Sequence, residues 1–125
     1  EGGQYLLVQL LGVARTMDFL MRKRIVEADE ALRLGLVSEV VEPSALEDAT
    51  MALATELANG PQVSMRLLKR SVYNAGELSF EQALDEIAAK TAISDHHPDA
   101  REGVAAFRDK RTAAFNEWLS TPKPR

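Results

Sequence analysis

Short helix-like segments, each closed by glycine, proline or a polar loop, constrain the fold of this chain more than any other feature. Within each segment the apolar residues recur every three or four positions, which places them on one face of a helix. Glycine can take the left-handed backbone that closes a last helical turn, and proline cannot continue a helix. Such stripes lie over residues 13–21, 27–34, 46–57, 65–75 and 80–91. The pattern predicts a mainly helical protein.

Local capping signals support these helices. Ser44 with Glu47, and Ser79 with Gln82, have the spacing of a capping box, in which two side chains satisfy free N–H groups at a helix start. Gly35 directly follows the second stripe and is expected to cap that helix. The helix boundaries are therefore predictable from local residues alone.

One segment has the character of a strand. Residues 36–41 (LVSEVV) are rich in β-branched side chains and are bounded by helix signals. The chain has no alternating run of strands and helices that would build a parallel sheet. Two last short helices are expected over residues 99–109 and 112–119. The predicted fold class is mainly α with one or two short strands, followed by a proline-broken tail at 120–125 that we expect to be disordered.

Composition excludes several classes of function. The net charge of −4 argues against nucleic acid as the main partner, because phosphate binding requires an excess of Lys and Arg. The absence of cysteine excludes disulfides and thiolate metal sites, and it fits a reducing, cytoplasmic location. The longest apolar stretch, residues 5–11, is too short to span a membrane. His96 and His97 are adjacent in a loop without a third ligand nearby, so no metal site is expected.

The order of several motifs points to one family. Residues 99–111 (DAREGVAAFRDKR) closely resemble the C-terminal signature of the crotonase superfamily, the enoyl-CoA hydratases and isomerases. Four earlier blocks resemble the same family in the same order, although Val8 and Gln9 replace its usual Pro and Arg. These blocks are residues 3–12, 24–37, 60–61 and 68–70. One such block is weak evidence for the family, whereas five blocks in the same order are specific evidence.

The resemblance implies a function for the intact protein. Members act on acyl-CoA thioesters, in fatty acid metabolism among other pathways. They use a carboxylate as acid or base and an oxyanion hole that is made of two backbone N–H groups. They need no metal or redox cofactor, since coenzyme A is part of the substrate, and they assemble as homotrimers or dimers of trimers. The family's oxyanion donors and first catalytic glutamate come from segments that precede Glu1. We therefore interpret the chain, which opens in a glycine turn without Met, as a truncated C-terminal half that is inactive alone.

The resemblance also divides the chain into regions. Residues 1–42 match the end of the crotonase core, the spiral ββα fold, with its helices and a short strand. Residues 43–119 match the C-terminal helical region that contacts coenzyme A and forms the trimer, and residues 120–125 are the tail.

Three residues are candidates for the site. Glu1 is a candidate catalytic acid or base, because some isomerase-type relatives carry a carboxylate in this turn. Counted back from Gly12, however, Glu1 lies one position after that carboxylate. The alternative is that Glu1 is an exposed turn residue. Phe107 and Lys110 match positions that contact the coenzyme A nucleotide in relatives, often across a subunit interface. An aromatic face can cover adenine and an ammonium can offset phosphate charge. The alternative is that Phe107 is helix core and Lys110 a solvated surface charge.

A function from another class stays open at this point. The chain could be a non-catalytic helical assembly module, either a short gene product or a decayed paralogue that only oligomerises. Residues 22–24 (RKR) offer a possible anion patch, but a charge run of this kind is more typical of a solvated connector.

Overall fold

Helices are the regular elements of the computed structural model, which describes residues 2–119. They are α1 (Gly3–Leu11), α2 (Val13–Met21), α3 (Ala28–Leu34), α4 (Leu46–Asn59), α5 (Gln62–Asn74), α6 (Phe80–Asp95) and α7 (Pro98–Arg108). Two short 3₁₀ turns, Pro43–Ala45 and Glu117–Leu119, complete the set. The described residues fall into two compact units that divide between Ala49 and Thr50. The prediction of a mainly helical chain is confirmed; Glu1 and the tail at 120–125 lie outside the described residues.

The predicted strand at residues 36–41 is wrong within this part of the chain. The segment runs without regular structure between α3 and the Pro43–Ala45 turn. A strand is stable only when its N–H and C=O groups pair with a neighbouring strand. The described residues contain no second strand that could supply those partners, so β-branched composition alone does not produce the element.

In the first unit, α1 packs against α2 across a turn at Gly12. Gly12 has φ 77° and donates its N–H to the carbonyl of Val8 at 2.8 Å, which closes α1. Gly35 caps α3 as predicted: its φ is 73°, and its N–H bonds to the Leu32 carbonyl at 3.0 Å. The next N–H, that of Leu36, bonds to the Ala31 carbonyl at 2.9 Å, so this end is a Schellman motif.

The same motif closes α2, but with lysine in the glycine position. Lys23 has φ 50°, and its N–H bonds to the Leu20 carbonyl at 3.3 Å. The N–H of Arg24 bonds to the Phe19 carbonyl at 3.1 Å. A residue with a Cβ is unfavourable in this left-handed conformation, by about 1–2 kcal/mol.

In the second unit, α5 packs against α6, and α6 packs against α7. The predicted capping box of α6 is present, because Ser79 Oγ accepts the Gln82 N–H at 3.2 Å and Gln82 Oε1 accepts the Ser79 N–H at 3.0 Å. Lys90 on α6 donates to Ser71 on α5 at 3.1 Å and pairs with Glu86. Polar side chains therefore join α5 and α6.

Few side chains of the described residues are fully enclosed. The buried apolar residues are Leu11 and Ala106, and the buried polar ones are Thr16 and Asp99. Large apolar side chains remain exposed on both units, including Ile25 at 87% and Phe80 at 77%. Exposure on this scale is typical of surfaces that other protein segments cover.

Candidate functional site

Phe107 and Lys110 lie together at the C-terminal end of α7, on the surface of the second unit. The Phe107 side chain is 88% exposed, and Lys110 is exposed in the turn that follows the helix. Within the described residues, the Phe107 side chain is therefore not enclosed in a helix core. Its place on the buried stripe of α7 is taken by its neighbour Ala106, which is 3% exposed.

The backbone at Lys110 forms a third Schellman motif within residues 2–119. Lys110 has φ 52°, and its N–H bonds to the carbonyl of Phe107 at 3.3 Å. The N–H of Arg111 bonds to the carbonyl of Ala106 at 3.1 Å. Glycine is the usual residue here because it has no Cβ penalty. A non-glycine residue held in this conformation is more frequent at functional sites than elsewhere.

An ion pair spans the turn that carries Lys110. Arg111 binds Glu102 with both arms of its guanidinium, Nη1 to Oε1 at 2.6 Å and Nη2 to Oε2 at 2.8 Å. Glu102 Oε1 also accepts the backbone N–H of Ala114 at 2.7 Å. The Arg111 hydrogen bond, with the Ala114 N–H second, lowers the pKa of Glu102 to about 2, and the same pair raises the pKa of Arg111. We refer to Glu102, Arg111 and the Ala114 N–H as the clamp.

The exposed face of α7 combines apolar and cationic side chains. Val104, one helical turn before Phe107, is 70% exposed. Three exposed basic residues lie on α7 or in the turn that follows it: Arg101, Arg108 and Lys110. Arg108 is partly neutralised by Asp109, whose Oδ1 lies 2.9 Å from its Nε. An open groove of about 510 Å³ adjoins the face and is lined by Asp95, Ala100, Arg101, Val104, Ala105 and Arg108. Phe107 and Lys110 lie outside this groove, and their phenyl ring and ammonium suit a ligand with a flat ring and negative charge.

Asp99 fastens the segment after α7 back onto the start of that helix. Its carboxylate is 4% exposed and accepts the Asn116 N–H at 2.9 Å and the Trp118 Nε1–H at 3.3 Å. His97 Nδ1 lies 3.4 Å from the same carboxylate, and the His97 ring meets Trp118 edge to face at 5.2 Å. We refer to this arrangement as the Asp99 clasp.

The predicted helix over residues 112–119 is wrong, because distant side chains bind the backbone N–H groups of this segment. Only Glu117–Leu119 forms a 3₁₀ turn. The N–H groups of Ala114 and Asn116 bond to the side chains of Glu102 and Asp99 instead of to helical carbonyls. Tertiary hydrogen bonds therefore replace the local ones that the apolar spacing predicted.

Asn116 joins this segment to the turn between α4 and α5. Its Nδ2 donates to the Gly60 carbonyl at 2.9 Å, and its Oδ1 accepts the Gln62 N–H at 3.2 Å. Two of the motif blocks, at 60–61 and 99–111, are thus connected through a residue that belongs to neither. The sequence does not predict the roles of Asn116, Asp99 and the clamp. The residues that these hydrogen bonds join lie nine to 56 positions apart in the chain, and such separations follow no helical period.

The remaining candidate groups have structural partners. Arg22 and Arg24 both pair with Asp18, at 2.9 and 3.1 Å, and Arg24 also pairs with Glu30 at 2.6 Å. The bond from Arg22 is the main cause that lowers the pKa of Asp18. The RKR segment is therefore largely charge-compensated. His96 Nδ1 lies 2.7 Å from the Ala92 carbonyl.

Two further features of residues 2–119 concern metal binding and membrane insertion. No group of three His, Asp or Glu side chains in this range is arranged to hold a metal ion. None of its helices combines the length and the apolar character that crossing a bilayer demands.

Comparison with known proteins gives a consistent result. A family model described as enoyl-CoA hydratase/isomerase matches residues 1–118. The chain is 31% identical over 113 residues to the (E)-benzylidenesuccinyl-CoA hydratase of Thauera aromatica, covering 90% of this chain and 44% of that protein. It is 32% identical over 117 residues to the trans-2-decenoyl-[acyl-carrier-protein] isomerase of Streptococcus mutans, covering 91% and 43%.

A solved structure agrees with these relatives. The crystal structure of an enoyl-CoA hydratase from Bacillus anthracis superposes with a TM-score of 0.84 at 30% identity, covering 91% of this chain and 44% of that one. The chain therefore spans less than half the length of each of these three proteins. The predicted resemblance to crotonases, and to the helical portion of their fold, is confirmed.

Proposed function

Because the chain belongs to the enoyl-CoA hydratase/isomerase family, we propose that it is the C-terminal half of an enzyme that hydrates or isomerises enoyl-CoA thioesters. Its relatives include a CoA-thioester hydratase and an acyl-carrier-protein isomerase, which supports this reaction class. The catalytic step uses a carboxylate as acid or base and two backbone N–H groups that stabilise the enolate-like oxygen. In this proposal those groups belong to the part of the enzyme that precedes this segment.

The segment itself binds the nucleotide end of coenzyme A. The observation that carries this role is the 88% exposure of Phe107 beside the left-handed Lys110. A free phenyl face stacks on adenine, and base–aromatic stacking contributes about 1–3 kcal/mol. The ammonium of Lys110, with the guanidinium groups of Arg101 and Arg108 on α7, offsets phosphate charge. No metal or redox cofactor takes part, since coenzyme A arrives as part of the substrate.

Assembly and the role of Glu1 belong to the same proposal. The exposed apolar faces of the helices are covered in a homotrimer or a dimer of trimers. Glu1 acts as an acid or base only if its carboxylate reaches the substrate carbon, and that residue lies outside the described range. Replacing Glu1 by Gln in the intact enzyme should then abolish isomerisation, while an exposed turn glutamate would tolerate the change.

The test of the proposed function uses the intact enzyme with crotonyl-CoA and a 3-enoyl-CoA as substrates. We expect turnover of at least one of them by the intact enzyme and none by the 125-residue chain alone. If the intact enzyme turns over neither substrate but still self-associates, the result would favour the non-catalytic assembly module instead.

The nucleotide site is tested with Phe107→Ala. This variant should raise KM for crotonyl-CoA about tenfold, which corresponds to the loss of one stacking contact. Crotonyl-pantetheine lacks the nucleotide, and its KM should not change. Phe80→Ala is the matched control, because Phe80 is also highly exposed, at 77%, but lies at the start of α6. Equal effects of the two variants on crotonyl-CoA would refute the assignment.

A further inference from the structure

We propose that Glu102 is a positioning residue, which acts through Arg111 to hold Lys110 in its binding conformation. This inference rests on the proposed function, because it concerns the same nucleotide site. Neither Glu102 nor Arg111 needs to touch the ligand for this role. Their task is to keep the backbone of the turn in the left-handed state that Lys110 by itself disfavours.

The geometry supports this role by fixing Lys110 from both sides. On its N-terminal side, the carbonyl of Phe107 accepts the Lys110 N–H at 3.3 Å. On its C-terminal side, Arg111 is held twice, by its N–H to the Ala106 carbonyl and by its guanidinium to Glu102. The Glu102 carboxylate also holds the Ala114 N–H, so the chain beyond the turn cannot swing away.

The chemistry of the pair suits a permanent restraint. A bidentate Arg–carboxylate contact fixes the orientation of both groups, which a Lys in place of Arg cannot do. The depressed pKa of Glu102, about 2, keeps its carboxylate ionised throughout the neutral range. The restraint therefore does not change with pH within the neutral range.

Releasing the restraint has a calculable consequence for binding. If the left-handed state falls to between a third and a tenth of the population, the apparent affinity falls by the same factor, about threefold to tenfold. The catalytic step is untouched, since the reacting atoms are bound elsewhere. The expected signature is a raised KM with an unchanged kcat.

The chain contains a matched control for this inference. Lys23 at the end of α2 has the same backbone motif, and the Arg that follows it, Arg24, likewise binds a carboxylate, that of Glu30. Glu30→Gln thus weakens the corresponding Arg–carboxylate contact in the other unit, where Arg24 retains Asp18 as a second partner and no nucleotide contact is proposed.

The experiment compares Glu102→Gln, Arg111→Lys and Glu30→Gln in the intact enzyme, with crotonyl-CoA and crotonyl-pantetheine as substrates. We expect Glu102→Gln and Arg111→Lys to raise KM for crotonyl-CoA about threefold to tenfold, with kcat unchanged and KM for crotonyl-pantetheine unchanged. Glu30→Gln should leave both KM values at the wild-type level. Arg111→Lys preserves the charge, so it provides a second readout if Glu102→Gln does not fold.

Two results separate this inference from the proposed function. If Lys110→Ala raises KM for crotonyl-CoA but neither clamp variant does, the positioning role is wrong and the nucleotide site stands. If Lys110→Ala has no effect on that KM, the nucleotide site is wrong and the positioning role falls with it. Equal losses for both thioesters in the clamp variants would also overturn the positioning role, because they would indicate general destabilisation.

Discussion

Replacing Lys110 by glycine separates binding from stability more cleanly than any other single change in this chain. The substitution removes the ammonium that we place against phosphate, and it supplies the residue that the backbone geometry favours. Lys110 has φ 52°, at the position where Schellman motifs usually carry glycine. Lys110→Ala is less informative, since alanine retains the Cβ that makes this conformation unfavourable.

Three opposing contributions determine the effect on stability. Relief of the left-handed strain stabilises the fold by about 1–2 kcal/mol. The greater freedom of glycine in the unfolded chain costs about 0.4–1 kcal/mol. Loss of a cation at a helix C-terminus costs about 0.3–1 kcal/mol. The contributions nearly cancel, so we expect the free energy of unfolding of Lys110→Gly to stay within about 1 kcal/mol of wild type.

Binding should change far more than stability. A charge-assisted hydrogen bond contributes about 1.5–3 kcal/mol, which corresponds to a rise in KM of roughly tenfold to a hundredfold. The assay measures kcat and KM of the intact enzyme for crotonyl-CoA and crotonyl-pantetheine, beside urea unfolding of the same samples. We expect the rise in KM with crotonyl-CoA alone and an unchanged kcat.

Lys23→Gly is the matched control for this variant. Lys23 has the same motif and nearly the same φ, 50°, at the end of α2. It should show the same small change in unfolding free energy and no change in KM. An unchanged KM in Lys110→Gly, or an equal rise in both variants, would refute the reasoning.

The other predictions concern acid stability, the Asp99 clasp and assembly. The pKa of Glu102 lies at about 2 in the folded chain, against an ordinary value of 4.5. The contribution of this carboxylate to stability is therefore complete above pH 4.5 and is lost as the pH falls towards 2. Between pH 6 and pH 3, the free energy of urea unfolding should fall less for Glu102→Gln than for wild type, and equal decreases would contradict the assignment. Asp99→Ala leaves the N–H groups of Asn116 and Trp118 without their acceptor and should cost about 2–4 kcal/mol. Trp118 is the one tryptophan of the 125-residue chain, so the fluorescence of that chain should shift to the red in the Asp99→Ala variant, and an unshifted spectrum would mean that the clasp does not form. The isolated 125-residue chain should self-associate through its exposed apolar faces, and a monomeric mass at all concentrations would argue against this.

The local sequence determined most of the helices of this protein. Helix α2 begins and ends at the predicted residues, α3 ends at the predicted glycine, and α6 begins at the predicted capping box. These features depend on residues within one or two turns of each other, so their physical cause is visible in a short window of sequence. The order of the motifs likewise identified the family, because a motif is recognised by its residue identities and not by tertiary contacts.

Tertiary structure decided the elements whose partners are distant along the chain. The β-branched segment at 36–41 forms no strand, because the described residues offer it no neighbour. The segment after α7 forms no helix over 112–119, because Glu102 and Asp99 take the N–H groups of Ala114 and Asn116. Phe107 and Ala106 are adjacent apolar residues in the sequence, yet one is 88% exposed and the other 3%. Only the direction in which α7 meets its neighbours distinguishes them, and no local pattern of residues contains that information.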